Sequence, residues 1–243
     1  MLDASVKSAL ERIGDTDLVL DVGGWAKPFA RADWVLDLMP YETRGLYGSA
    51  TGDDERFSVD TWVVGDICAA EPWPFDDHQF DFAICSHTLE DVRDPVRVCS
   101  ELVRVAKAGY VEVPSRLEEQ SWGVHGPWVG WSHHRWLVDG TGDGLEFVSK
   151  PGVLHGRPEL HFPAGVAGVL AETERVVSRF WERSFEFSER IFHEAGELES
   201  YLGDLVAERG AELSARARAG DGRSWLRREL GGAYRGIMRV RSR

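Results

Sequence analysis

The chain has 243 residues, of which 43% are hydrophobic and 28% charged, enough for one large domain and balanced like a soluble globular protein. That composition excludes collagen-like, coiled-coil and wholly disordered chains, and the formal net charge of −13 repels phosphate backbones, so nucleic acid is a poor partner. No apolar run is long enough to span a bilayer, and Met1–Gly14 mixes charged with apolar positions, so neither a membrane span nor a signal peptide is expected.

In chain order, Val6, Ala9, Leu10 and Ile13 recur at helical spacing and Gly14 closes a first helix. Leu18–Val22 is a short buried-strand run ending at Gly23-Gly24, and Trp34–Leu38 is a second. The gap between them predicts a short helical crossover. Tyr41–Ser58 reads as irregular, Thr61–Ile67 as a third strand and Phe80–Ser86 as a fourth. Asp94-Pro95 supplies an N-cap and N1 proline to a helix whose apolar face is Val96, Cys99, Leu102, Val103 and Ala106, with Gly109 expected at its C′ position. Tyr110–Pro114 is a fifth strand. Strands alternating with crossovers imply a mostly parallel sheet in an α/β fold. Ser115–Pro163 breaks into Gly, Pro, Trp and His; Phe180–Phe187 reads as a late strand, and Leu198, Tyr201, Leu202, Leu205 and Val206 as a helix face. Arg216–Arg243 carries nine arginines against Asp221 and Glu229, a basic tail expected to pack on an acidic body or to meet a partner. Trp225, Leu226, Leu230, Ile237 and Met238 give that tail near-helical spacing. Cys68, Cys85 and Cys99 form no C-x-x-C pair and read as reduced, packed thiols of a cytoplasmic protein.

Ligands of parallel sheets bind at the carboxyl ends of the strands. Four such ends here carry polar groups. Asp21-Val22-Gly23-Gly24 closes the first strand, and two positions without Cβ let backbone N–H groups approach a ligand. Asp37, followed by Leu38, closes the second, where a carboxylate can accept from a ribose diol. Asp66-Ile67 closes the third, suited to a purine amine and ring face, and Ser86-His87 closes the fourth. In this order the set signals a nucleoside site.

Leu18–Gly24, Asp37, Gly65-Asp66-Ile67, Pro72-Trp73-Pro74-Phe75, Phe80–Ile84, His87–Pro95 and Glu101–Val105 followed by Gly109–Pro114 resemble the class I S-adenosylmethionine-dependent methyltransferases of the type 11 kind, over about residues 15–115. The resemblance implies a Rossmann-like, doubly wound sheet of seven strands with the last antiparallel. It further implies S-adenosylmethionine as cofactor, with Gly23-Gly24 facing its methionine moiety, Asp37 its ribose, Asp66 its adenine amine and Ser86-His87 the methyl-transfer end. The family's Asp-x-Gly-x-Gly-x-Gly reads here Asp21-Val22-Gly23-Gly24-Trp25-Ala26-Lys27, leaving backbone N–H groups near Gly24 or the Lys27 ammonium to hold the methionine carboxylate. A single domain, 1–243, is expected: a core at about 15–115, a substrate-pocket insertion at about 115–163, and a late strand with C-terminal helices at about 164–243.

Two other readings compete. A nicotinamide-dependent oxidoreductase also places an acid after its second strand, but needs G-x-G-x-x-G and commonly a Tyr-x-x-x-Lys pair, and neither is present. A cofactor-binding, non-catalytic partner protein would explain the missing glycines.

Trp122–Trp136 holds four tryptophans with His125, His133 and His134, either an aromatic wall for a small-molecule acceptor or the core of a loop-rich region. An adjacent pair on a strand points to opposite faces and no acid cluster is in sequence reach, so His133-His134 is not expected to bind metal. His87, His134 and His133 are instead the candidate general bases for a hydroxyl acceptor.

Overall fold

The computed structural model describes residues 1–46 and 54–219. The expectations for the tail beyond Ala219 lie outside the described residues.

Chain contacts gather these residues into two compact units: 1–115 with 133–150 and 176–191, and 116–132 with 151–175 and 192 onward. The first unit contains α1 (Asp3–Arg12), β1 (Val19–Val22), β2 (Trp34–Asp37), β3 (Trp62–Val64), β4 (Phe82–Ser86), α2 (Pro95–Val105) and β5 (Ala108–Pro114). After α3 (Arg116–Glu119) of the second unit, the first resumes with β6 (Trp136–Thr141) and β7 (Gly144–Ser149). The second then adds α4 (Glu172–Arg175), the first closes with β8 (Val176–Glu182) and β9 (Phe187–Glu189), and the second ends in α5 (Glu197–Ala219).

The central sheet has the order β3-β2-β1-β4-β5-β8, all parallel except β8, which runs antiparallel to β5. The doubly wound α/β expectation holds. Among the described residues this sheet has six strands, not seven. Strand parity explains its two covered faces. Leu20, Val22, Ala83, Cys85, Val111 and Val113 pack with Val98, Cys99, Leu102 and Val105 of α2. Val19, Val35, Phe82, Ile84 and Tyr110 face the other way, with Ala9 of α1 and Ile13 just after it. The three cysteines are buried and free.

Four local expectations are corrected. Residues 23–33 contain no helix; the β1–β2 crossover is a string of turns, closed by the Asp33 N–H donating to Val19 O at 2.8 Å. Gly109 is not a helix cap: α2 ends at Val105 with Ala106 as its C-cap, and Gly109 sits inside β5, where a Cβ would collide with the Ala83 carbonyl and the Trp181 ring. The late strand is two strands, because Arg183 takes a positive φ of 66° and turns the chain out of the central sheet. The region 115–163 is not wholly irregular: it holds the β6–β7 hairpin, which with β9 forms a three-stranded sheet.

In the second unit, Phe162, Val166, Leu170 and Leu213 form a small core. Gln120 Nε2 donates to Leu160 O at 2.9 Å and Leu202 O at 3.0 Å, tying the start of this unit to α5. Among the described residues, no helix is long and apolar enough to cross a membrane.

Candidate functional site

At β1 the chain order of the sheet reverses: β2 and β3 lie on one side and β4 and β5 on the other. The carboxyl ends of β1 and β4 are therefore the switch point at which such sheets bind ligands. The turn after β1 is built around its neighbours. Gly23 has φ 75°, and a Cβ there would run into the Thr88 side chain; at Gly24 it would meet the Asp21 carboxylate. That carboxylate curls beneath the turn and accepts the Phe29 N–H at 2.8 Å. Burial, reinforced by nearby Asp37 and opposed by the Phe29 bond, pushes Asp21 up to about 7.

Asp37 ends β2, 8% exposed. Its Oδ2 accepts the Trp25 N–H at 3.0 Å and its Oδ1 the Met39 N–H at 2.8 Å. Burial raises its pKa and these bonds oppose the rise. A carboxylate has about four acceptor positions, and the backbone N–H groups of Met39, Trp25 and Leu38 leave room for a ligand hydroxyl. Beside it, Leu38 is 67% exposed and Val64, at the end of β3, 57%, while Ile67 is buried. Asp66 is exposed and engaged: Arg93 Nη1 donates to it at 2.6 Å and the Cys68 N–H at 2.9 Å, which lowers its pKa. Lys27 is exposed.

After β4 the backbone turns sharply at His87, φ 54°. The His87 N–H donates to Glu112 O at 2.8 Å, its Nε2 lies 3.2 Å from Glu112 Oε1, and its Nδ1 lies 3.5 Å from Glu90 Oε1. Glu112 is fully buried in β5, on the α1 side of the sheet with Tyr110. Its carboxylate accepts from Tyr110 OH at 2.6 Å, Ser5 Oγ at 3.1 Å, Ser86 Oγ at 3.3 Å and the Leu2 N–H at 3.1 Å. Burial works against both charges, yet the hydrogen bonds win: His87 is raised to about 9 and Glu112 lowered to about 2. At neutral pH this is an imidazolium against a carboxylate, and His87 already carries the proton that a general base would need to accept.

His133 and His134 lie in a turn just before β6, not on a strand, so the opposite-faces argument against a shared ligand falls away. Their rings meet edge to face at 4.6 Å, and His134 Nε2 lies 3.9 Å from Asp91 Oδ1. Asp91 is the nearby acid that the sequence did not reveal.

The aromatic segment belongs largely to the second unit, where its tryptophans pair with histidines. Trp122 stacks on His161 and His125 on Trp131, both at 5.4 Å, and Trp128 meets His155 edge-on.

Among the strand ends, sequence reasoning singled out Asp21, Gly23, Gly24, Asp37, Leu38, Asp66, Ile67, Ser86 and His87, and the sheet sets them along one edge. It missed Glu112, Thr88 and Arg93. Glu112 had a signal: a charge inside the apolar run Tyr110–Pro114 must be paired if buried. Thr88 and Arg93 had none, because only packing brings them to Gly23 and Asp66.

A family model described as a methyltransferase domain matches residues 43–111. The chain resembles the methyltransferases there. The methyltransferase resemblance read from the sequence is borne out over that segment. No curated relative matches. Solved structures similar to the chain include a Bacillus halodurans protein named provisionally as a methyltransferase, at 19% identity over 46% of this chain and 52% of that one, TM-score 0.37. A Haloferax volcanii protein, also named provisionally and solved with the Trm112 methyltransferase activator, is 23% identical over 55% of this chain and 68% of that one, TM-score 0.37. An S-adenosylmethionine-dependent methyltransferase from Mesorhizobium loti is 19% identical over 49% and 56%, TM-score 0.37. The similarity thus spans about half to two thirds of those chains.

Proposed function

We propose that this chain is an S-adenosylmethionine-dependent methyltransferase that acts on a small-molecule acceptor as a single methyltransferase domain. The observation that carries the reading is the row of strand ends at the β1/β4 switch point, within a chain whose residues 43–111 match a methyltransferase domain. In this reading the Gly23-Gly24 turn faces the methionine moiety, with backbone N–H groups for its carboxylate. Asp37 accepts from the ribose hydroxyls through its spare lone pairs. Leu38 and Ile67 flank the purine, and exposed Leu38 gains most by being covered. Asp66 receives the purine amine beside Arg93.

The sulfonium of the cofactor supplies an already activated methyl group. What remains for the chain is to hold the acceptor atom in line and exclude water. Charged as it is, His87 serves as a donor that orients the acceptor and not as its base. The net charge of −13 supports a metabolite over a nucleic acid.

The test is a calorimetric titration with S-adenosylhomocysteine and, side by side, NAD. S-adenosylhomocysteine should bind and NAD should not; binding of NAD alone would overturn the reading in favour of an oxidoreductase. Asp37→Ala should weaken S-adenosylhomocysteine by roughly 10- to 100-fold, at 1.4 kcal/mol per decade for charge-assisted bonds. Asp37→Asn should lose less. Equal dissociation constants in folded variants would remove Asp37 from the site.

A further inference from the structure

The segment 133–136 and the loop 87–94 are joined twice in the first unit. The Arg135 N–H donates to Glu90 O at 2.7 Å, and Trp136 Nε1 donates to Val92 O at 2.8 Å. These two bonds bracket Asp91 on one segment and sit directly after His133-His134 on the other. Trp136 is itself braced edge-on by Phe147 of β7. Within that clamp, one side-chain donor atom from each of Asp91, His133 and His134 lies within 4.8 Å of the other two.

We propose that Asp91, His133 and His134 form a binding site for a divalent transition-metal ion of the zinc type. Ligands about 2.0–2.1 Å from a tetrahedral ion sit roughly 3.4 Å apart. The 3.9 Å separation of His134 Nε2 and Asp91 Oδ1 is therefore within a small side-chain rotation of that value. Exposed His133 and half-exposed Asp91 have room to make it, while half-buried His134 is the fixed member. Two imidazoles and one carboxylate suit zinc and its first-row neighbours; magnesium and calcium prefer all-oxygen shells. Three protein ligands leave a coordination position open, as in sites where a metal polarises a bound water or hydroxyl. Asp91 follows Glu90, which contacts His87, so the site shares the loop that follows β4. An acceptor hydroxyl is the group it would bind there. The metal site itself does not depend on the methyltransferase reading.

The test uses untagged full-length protein, stripped with chelator, loaded with zinc chloride and desalted, with zinc measured by atomic emission and its affinity by calorimetry. One zinc per chain is expected, with magnesium chloride giving no heat. Asp91→Asn, His134→Ala and His133→Ala should each weaken zinc at least about tenfold, while His125→Ala, a histidine of the second unit, should leave it unchanged. His133 is exposed in a turn, so its variant keeps the fold. Zinc far below one per chain, or equal affinity in the three ligand variants, would overturn the proposal and leave an ordinary histidine–carboxylate contact. S-adenosylhomocysteine titrated into the same samples reports the nucleoside site separately, so failure of one is visible without the other.

Discussion

His87 sits between two buried carboxylates, and that arrangement sets its charge. Its pKa is raised to about 9 from 6.5, so the folded chain holds a proton that the unfolded chain releases. The pair's stabilisation is fully present below about pH 6.5 and is lost as pH rises through 9. Glu112, lowered to about 2, acts at the other end: its contribution is present above pH 4.5 and fades as pH falls through 2. These are two views of one interaction and do not add. Asp21, raised to about 7, shifts stability in the same direction as His87, favouring the fold less as pH climbs from 4 to 7. The melting temperature should therefore decline between pH 6.5 and 9, and His87→Gln should flatten that decline. In Glu112→Gln the His87 resonance, followed by NMR, should titrate well below 9, toward 6.5. A titration unmoved by the substitution would show that Glu112 does not hold the imidazolium.

Elements are placed by close approaches that side-chain patterns do not describe. β4 and β5 run parallel with Ala83 opposite Gly109, and β8 brings Trp181 opposite the same glycine. The missing Cβ admits both the Ala83 carbonyl and the indole. Gly109→Val should destabilise the protein by about 2–3 kcal/mol through overpacking against backbone, measured by urea unfolding. A cost near zero would mean that β8 can move away. The β6–β7 hairpin was legible in principle, since Leu137, Val138, Leu145, Phe147 and Val148 flank Gly142-Asp143-Gly144, a hairpin turn signal. The surrounding Trp, Gly and His residues hid it. The start of α2 was read correctly because its signals are local: the Asp94 carboxylate accepts the Arg97 N–H at 2.9 Å, as an N-cap followed by proline should.

On the scale of the whole molecule, the chain leaves the first unit and returns to it twice, so each unit is assembled from distant segments. The second unit depends on such joins. Gln120 is fully buried, accepts from Arg116 Nε at 2.8 Å and donates to the carbonyls of Leu160 and Leu202. Gln120→Ala takes the amide donor from the Leu160 carbonyl and the second donor from the Leu202 carbonyl, which sits inside α5, a cost of about 1–3 kcal/mol. The melting temperature should fall by roughly 5–10 °C, and limited proteolysis should cut first within 151–175 or 197–219. An unchanged melting temperature would show that water replaces the amide. Glu174 illustrates the same principle at the surface: it receives Arg216 and Arg209, from a helix more than thirty residues on, and is lowered to about 2.

The sequence by itself determined the α/β class, strands β1 to β5, α2 and the acids and glycines at the strand ends. Hydrophobic runs, caps and turn residues act over a few neighbours, and a strand that ends on an acid does so in any context. Only the tertiary structure decided which of those groups are already engaged. Asp37 meets the N–H groups of Trp25 and Met39, Asp66 meets Arg93, and His87 meets Glu112 from the neighbouring strand. It also decided that His133-His134 sits in a turn facing Asp91, more than forty residues earlier in the chain. The charge of an imidazole and the reach of a ligand set depend on groups brought close by folding, and parallel strands bring together residues whose separation along the chain carries no trace of it.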